Sequence, residues 1–344
     1  MEPGLHARML GWYNDNPVDP GRPSLDDPGV QRLTAAIAPG SHATDLGGVM
    51  SLNAWLDPAG LVLRVHRPFV TRQRLLAVQA VRQRLAAGGL LVPVPIPHNS
   101  STVLRCGRRW AELEEFIPHE RPRPTTDAFL SMFAAIGALH RTLAEIDVVV
   151  PRPLVAIYSP PGSLRRWLPY TEAAVRGDPE AEAVARHLRG LVVRLRRQWQ
   201  PADRLPVHLI HGDMHLSNVC RTPGGGTVYL DFGFLARRPR IHEIAYSLSW
   251  TIISLDGHLA PESFEWSIIP RLVAAYETAA NTELSEAERT ALAPYTAAAP
   301  LYHAAIAGFT SDPARQLKEE LPYLRHSEWL LAHPEALLGN TNSG

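Results

Sequence analysis

The sequence predicts an α+β protein in two parts, a small sheet-forming segment with one helix followed by a larger, mainly helical segment. Three observations carry that prediction. Runs of strand composition crowd residues 41–117 and enclose a single stretch of helical spacing. After "PHERPRP" (residues 118–124) apolar residues recur with a period near 3.6. The chain, at 344 residues with 45% apolar content, is long enough to bury a large core and build two lobes.

Residues 1–40 are rich in Pro, Gly and Asp and read as an extension with one short helix, order being expected from Ser41. Residues 50–56 and 61–65 have strand composition and are joined by the turn "DPAG", which makes a hairpin behind a glycine pair. Residues 71–85 then place Leu75, Val78, Val81 and Leu85 on one helical stripe, with Gly88-Gly89 as the stop. The runs "LLVPVPI", "STVLRC" and "WAELEEFI" are expected to supply further short strands. In residues 118–344, Thr126 or Asp127 is placed to cap a helix bearing Phe129, Met132, Phe133, Ile136, Leu139 and Leu143 on one face. Residues 180–199 form a second strongly helical stretch. Between these helices and a helical C-terminal third, "HGDMHLSNVC", "RTPGGG" and "TVYLDFGF" read as a loop, a short strand, a glycine turn and a second strand. No internal repeat is visible. The expected organisation is an extension (1–40), a small lobe (41–117) and a helical lobe (118–344).

Composition narrows the function classes. Lys plus Arg and Asp plus Glu both number 34, so no global field draws the chain to nucleic acid. From Ile241 onward there are thirteen acidic and five basic side chains, a net of minus eight, which leaves plus eight for the first 240 residues. Lys318 is the only lysine among the 34 cations. Cys106 and Cys220, a lone distant pair, form neither a disulfide framework nor a metal ligand set, which fits a reducing compartment. The first residues lack a basic segment followed by an apolar one, and the apolar run "IAYSLSWTIISL" toward the C-terminus is too short to span a bilayer and reads as a buried helix. A cytoplasmic protein with no nucleic-acid or membrane partner is expected, and the sequence assigns no oligomeric state.

The stretch "LIHGDMHLSNV" admits two chemical readings. In one, His211, Asp213 and His215 hold a transition metal; the shell would then have to be filled from His242, His258 and His303, which show no ligand-like pairing. In the other, Asp213 is a carboxylate beside a reacting hydroxyl. The order His211-x-Asp213-x-x-x-x-Asn218, followed thirteen residues later by Asp231-Phe232-Gly233, suits the second. Phosphoryl transfer needs one carboxylate near the acceptor, with an amide oxygen and a second carboxylate on a magnesium ion that holds the nucleotide phosphates. A hairpin between Asn218 and Asp231 would bring both to one edge. His208 and His215 read as structural histidines, His211 as a residue shaping the loop, and Cys220 as a small buried hydrophobe.

From Ser41 to the C-terminus the chain resembles the aminoglycoside phosphotransferase and choline kinase-like family, small-molecule kinases with the bilobal protein-kinase-like fold. The resemblance is strongest in "HGDMHLSNV" and "VYLDFG". It implies Asp213 as catalytic base and Asn218 and Asp231 as ligands of Mg2+. "GGVMSLN" is similar to the nucleotide-covering loop, which implies roles for Gly47, Gly48 and Asn53. "LVLRVHRP" is similar to the strand whose cation contacts the phosphates, here Arg64, and "LEEFIP" to the hinge between lobes, with Glu115 and Ile117 facing the nucleotide. "IGALH" resembles the first helix of the helical lobe, and "HEIAYSL" carries Glu243 where the family usually has an aspartate. The family usually pairs a strand lysine with a glutamate on the next helix. Here the strand holds Arg64, residues 71–85 contain no acid, and Gln79 falls about where the glutamate belongs.

The resemblance implies a phosphotransferase that moves the γ-phosphate of ATP, or of GTP, to a hydroxyl of a small molecule. The acidic C-terminal part favours a cationic acceptor such as an amino sugar, a basic peptide antibiotic or another aminated metabolite. Two alternatives stand beside it, a kinase-like binding module without activity and a kinase acting on a peptide or protein hydroxyl.

Overall fold

A computed structural model describes residues 21–48, 50–154, 157–256 and 260–338. The first twenty residues of the expected extension, and His258, lie outside the described residues. The described residues divide into two compact units, one within residues 1–120, 147–154 and 221–230, the other within residues 121–146, 155–220 and 231–344. The result is the mixed α+β fold expected, with a small antiparallel sheet in the first unit and a larger helical second unit.

In the first unit, α1 (Pro28–Ile37) precedes strands β1 (His42–Asp45), β2 (Leu52–Asp57) and β3 (Leu61–Val65), then α2 (Arg72–Ala87), β4 (Leu104–Cys106) and β5 (Arg109–Glu115). The strands form one antiparallel sheet in the order β1-β2-β3-β5-β4. Alternate residues of β2 (Leu52, Ala54, Leu56) point into a core shared with Leu63, Val65, Leu104 and Leu113. Val30 and Ala38 join the same cluster, so residues 21–38 are part of the folded unit. Helix α1 starts where the Asp27 carboxylate accepts from the Gly29 N–H at 2.7 Å, with Pro28 at the first helical position. Helix α2 begins at the Thr71 cap, ends at Gly88 and buries the expected stripe of Leu75, Val78, Val81 and Leu85. It also buries Arg74, Gln79 and Arg82. The run "LLVPVPI" does not form a strand. It makes only isolated bridges, Leu91 to Val228 and Pro95 to Glu114, because Pro93 and Pro95 cannot donate to a ladder.

In the second unit, α3 (Thr126–Ala144) is capped by Thr125, not by Thr126 or Asp127, since the Thr125 hydroxyl accepts from the Ala128 N–H at 3.3 Å. Helices α4 (Pro161–Ala174), α5 (Pro179–Gln198), α6 (Arg240–Asp256), α7 (Ile268–Ala280), α8 (Glu286–Ala305), α9 (Pro313–Glu319) and α10 (Leu321–Ala332) follow. Helix α3 packs along α7, and α8 lies against α6, α5 and α10. Fully buried Phe129, Phe133, Met132, Tyr276 and Phe309 fill this interior. The apolar run at "IAYSLSWTIISL" is the buried helix α6, where Ile241, Ile244, Ala245, Leu248 and Ile252 are shielded. Among the described residues no helix is long and apolar enough to cross a membrane.

Candidate active site

Strand β6 (Val207–Ile210) pairs antiparallel with β9 (Ala236–Pro239), Ile210 opposite Ala236 and Val207 opposite Pro239. That register sets the residues leaving β6, His211 to Asp213, beside those entering β9, Asp231 to Leu235. The contact is close: the His211 and Phe232 rings lie 4.7 Å apart, and a Cβ at Gly212 would come within 2.7 Å of the Phe234 carbonyl oxygen. With a φ of 87° as well, position 212 accepts only glycine. The chain from Asn218 to Asp231 runs through β7 (Val219–Arg221) and β8 (Thr227–Tyr229), the expected hairpin, with a turn in which Thr222 N–H donates to the Gly226 carbonyl at 2.9 Å.

Asp213 is held from two sides. Tyr246 on α6 donates its hydroxyl to Asp213 Oδ1 at 2.7 Å, while Asn218 Nδ2 donates to the Asp213 carbonyl at 2.7 Å and lies 3.3 Å from Oδ2. Burial, and then the Asp213 charge, push the Tyr246 hydroxyl well above its ordinary pKa, so it stays a donor. The neighbouring wall is aromatic: Trp250 lies 6.2 Å from Tyr246, 6.5 Å from His215 and 5.8 Å from His303, centre to centre. Burial lowers the His303 pKa to about 4, against the opposing charge of Asp213, which leaves that ring neutral near pH 7.

The loop is anchored from beneath by Glu243, which is completely buried on α6. Its carboxylate accepts the backbone N–H groups of His211 at 2.9 Å and Gly212 at 2.5 Å. His140 of α3 completes the cluster, with Nε2 at 2.8 Å from Glu243 and Nδ1 at 3.0 Å from the Tyr276 hydroxyl. Burial and the nearby Arg240 lower the His140 pKa to about 3. The imidazole is therefore neutral, with Nε2–H donating to the carboxylate and Tyr276 donating to Nδ1.

With its Nδ2 committed to Asp213, Asn218 has Oδ1 as the atom suited to a cation. Asp231 adds a carboxylate from a residue in left-handed backbone conformation, φ 57° and ψ 67°. One amide oxygen and one carboxylate are hard oxygen donors that fit magnesium, which takes few protein ligands and completes its shell with water and phosphate. The described histidines named as candidates are not gathered into a transition-metal shell. His215 receives the Ser217 N–H on Nδ1 at 3.3 Å and has Asn218 Nδ2 at 3.3 Å from Nε2, while buried His211 packs on Phe232. Among the described residues no group of three His, Cys, Asp or Glu side chains is arranged to hold a metal. Cys220 is fully buried, as a small hydrophobe would be.

The first unit holds the other sequence-predicted residues. Gly47 and Gly48 both have positive φ, 87° and 111°, and a Cβ at Gly48 would lie 2.9 Å from Asn53 Nδ2. Asn53 braces this loop by donating to the Gly47 carbonyl at 2.8 Å. In the sheet Asn53 stands opposite Arg64, and Arg64 in turn stands opposite Glu112. Glu112 receives Arg82 and Gln79 from α2, the latter at 3.0 Å, and lies 3.1 Å from His66. Arg82 also bonds Glu114. Burial would raise the Glu112 carboxyl, but the charge of Arg82, the bond and charge of His66 and the charge of Arg64 outweigh it and hold the group well below the usual carboxylate range. Gln79, at about the position of the missing helix glutamate, is engaged by Glu112 and Thr102. Its amide donates to Glu112 and to the Thr102 carbonyl, and its oxygen accepts from the Thr102 hydroxyl at 2.7 Å. The anion facing Arg64 comes from the neighbouring strand, and the helix supplies a cation.

Glu115 and Ile117 lie at the end of β5 and line a pocket with Phe116, Gly89, Leu91 and Val94. The Ile117 carbonyl is already engaged by His119 Nδ1 at 2.6 Å. Sequence reasoning missed Tyr246 and Glu112. The only local signal for Tyr246 was its place one helical turn after Glu243; for Glu112 it was an acid run on a strand otherwise suited to burial.

The model of the APH phosphotransferase enzyme family matches residues 47–295. Among solved structures, a microcompartment-associated aminopropanol kinase is 16% identical with a TM-score of 0.69, covering 90% of this chain and 97% of its own. An aminoglycoside phosphotransferase from Alicyclobacillus acidocaldarius (14%, TM-score 0.60) covers 86% of this chain and 91% of its own, and an ethanolamine kinase from Plasmodium vivax (13%, TM-score 0.58) covers 87% and 88%. At these identities the likenesses establish the fold. No curated protein matches the sequence significantly. The family match spans most of the chain and contains the Asp213 loop, Asn218 and Asp231: the chain belongs to the phosphotransferase enzyme family.

Proposed function

We propose that the protein is a cytoplasmic kinase that transfers the γ-phosphate of ATP, or of GTP, to the hydroxyl of a small aminated molecule. The observation that carries this reading is the Asp213 carboxylate, oriented by Tyr246 and Asn218 on a loop whose backbone is fixed by Glu243. Asp213 accepts the acceptor's hydroxyl proton as its oxygen forms a bond to the γ-phosphorus and the bond to the β-phosphate oxygen breaks. Asn218 Oδ1 and Asp231 hold Mg2+, which when bound neutralises charge on the nucleotide phosphates. Gly47, Gly48 and Asn53 form the loop over the nucleotide, Arg64 contacts its phosphates, and residues 115–117 meet its base. Two features support an aminated acceptor: the Asp213 carboxylate, set beside the aromatic pair Tyr246 and Trp250, and the net minus eight of the C-terminal part. Structural neighbours described as aminopropanol and ethanolamine kinases add support for a small amino alcohol. An aminated antibiotic as acceptor would make the enzyme a resistance factor.

The test is a screen of amino alcohols, amino sugars and basic peptides with magnesium and either nucleotide, read by the mass of the acceptor. Phosphorylation of at least one, absent with Asp213→Ala, is the expected result. A folded wild type that modifies none and is stabilised by neither nucleotide would overturn the reading.

A further inference from the structure

The segment that precedes the family match is built into the glycine loop. The match begins at Gly47, yet Arg22 reaches both flanks of that loop. Its Nη2 donates to Asp45 Oδ1 at 2.6 Å, and its Nε donates to the Ser51 carbonyl at 3.1 Å. The same Asp45 oxygen accepts the Gly47 N–H at 2.8 Å, while Leu46 N–H bonds the Asn53 carbonyl at 2.8 Å. Arg22 itself is fixed. Arg109, at the start of β5, donates to the Gly21 carbonyl at 3.0 Å, and α1 just downstream is sunk into the sheet core through Val30.

We infer that Arg22 is a positioning residue, a clamp that pre-orders the glycine loop for the nucleotide. The inference rests on the nucleotide-loop reading of Gly47 and Gly48. Two neighbouring glycines at positive φ have an unusually large conformational freedom to lose, and every contact that fixes their flanks beforehand leaves less to be lost on binding. A planar guanidinium suits the task because one fork spans a carboxylate on one flank and a carbonyl on the other. Lysine, a single point donor, keeps the carboxylate contact and gives up the carbonyl.

The test measures nucleotide KM and kcat, acceptor KM, and amide hydrogen exchange over residues 45–53 without nucleotide, for wild type, Arg22→Ala, Arg22→Lys and Asp45→Asn. Arg22→Ala is expected to raise the nucleotide KM about fivefold, the scale of a partly exposed ion pair with one added bond. It should leave kcat and acceptor KM close to wild type and speed exchange across the loop, with Arg22→Lys in between. Asp45→Asn, which keeps an acceptor for Gly47 but loses the charge, should show a smaller change of the same sign and serves if Arg22→Ala misfolds. Unchanged nucleotide KM together with unchanged exchange would overturn the clamp. A wild type that binds no nucleotide would defeat the functional reading instead. Exchange would then decide the clamp alone, faster exchange in Arg22→Ala supporting it and equal exchange overturning it.

Discussion

Each unit of the molecule is organised around a buried glutamate, and the two are satisfied in opposite ways. Glu112, in the sheet, is surrounded by charge: Arg82 bonds it, Arg64 stands opposite in the ladder, and His66 and Gln79 complete its shell. Glu243, in the helical unit, is met by neutral dipoles, the His211 and Gly212 amides and the His140 imidazole. Their ionisation follows. Full positive charges hold Glu112 ionised far below the usual range, whereas burial raises the Glu243 carboxyl above its ordinary value, His211 and the backbone bonds opposing. The first arrangement arrays charge where a polyanion is proposed to bind, and the second fixes the path of a loop. The same side chain type serves electrostatics in one unit and geometry in the other.

Breaking the charged cluster is expected to have the larger effect on stability. Glu112→Gln removes one of the two carboxylates bonded to buried Arg82 and the charge opposite Arg64, and should cost about 3–5 kcal/mol, as breaking a buried pair does. Glu243→Gln keeps one accepting oxygen and turns an NH2 toward a backbone donor, at about 1–3 kcal/mol. Gln79→Glu sharpens the contrast. Viewed from the sequence alone, this substitution restores the family's helix glutamate and should be tolerated or helpful. With Gln79 donating to Glu112, it sets carboxylate against carboxylate, and a loss of about 1–3 kcal/mol is expected. Urea unfolding of the three variants checks the order.

Acid should separate the units more gently. His140, lowered to about 3, and His208 and His303, each lowered to about 4 mainly by burial, all lie in the helical unit. Their folded pKa values fall below the unfolded value of about 6.5, so the unfolded chain binds more protons. The stability they contribute is present above about pH 6.5 and is lost as pH falls toward 4. Glu112, also depressed, starts to lose its contribution only below about pH 4.3, and Glu243, raised, works against the histidines. Peptide-resolved hydrogen exchange between about pH 7 and pH 5 should show the helical unit loosening while the sheet unit holds. Equal loosening of both units would remove the distinction.

What the sequence disclosed was mostly local. Asp213 and Asn218 lie five residues apart, so their spacing was readable, and the structure keeps the amide within hydrogen-bond distance of the carboxylate. Helix α2, its Thr71 start and its Gly88 stop followed from period and caps. Tyr246 and Glu243 bond residues more than thirty positions away, pairings that depend on how α6 docks beneath the loop. Glu112 could be matched to Arg64 only once the β3–β5 register was known. Composition misled at "LLVPVPI", where apolar content suggested a strand that Pro93 and Pro95 forbid. In residues 21–38 the one short helix was expected, but the Pro- and Gly-rich average concealed its place in the sheet core and the arginine that grips the glycine loop.

The central claim, that Asp213 acts on the acceptor's hydroxyl and leaves nucleotide binding to other residues, is tested most directly by Asp213→Asn. The asparagine keeps an oxygen to receive the Tyr246 hydroxyl, so the loop should hold its shape. Nucleotide affinity, measured by titration with magnesium present, should stay close to wild type while turnover falls by about two orders of magnitude or more. Affinity and turnover lost in equal measure would make Asp213 a structural residue, and turnover kept would remove it from the chemistry altogether.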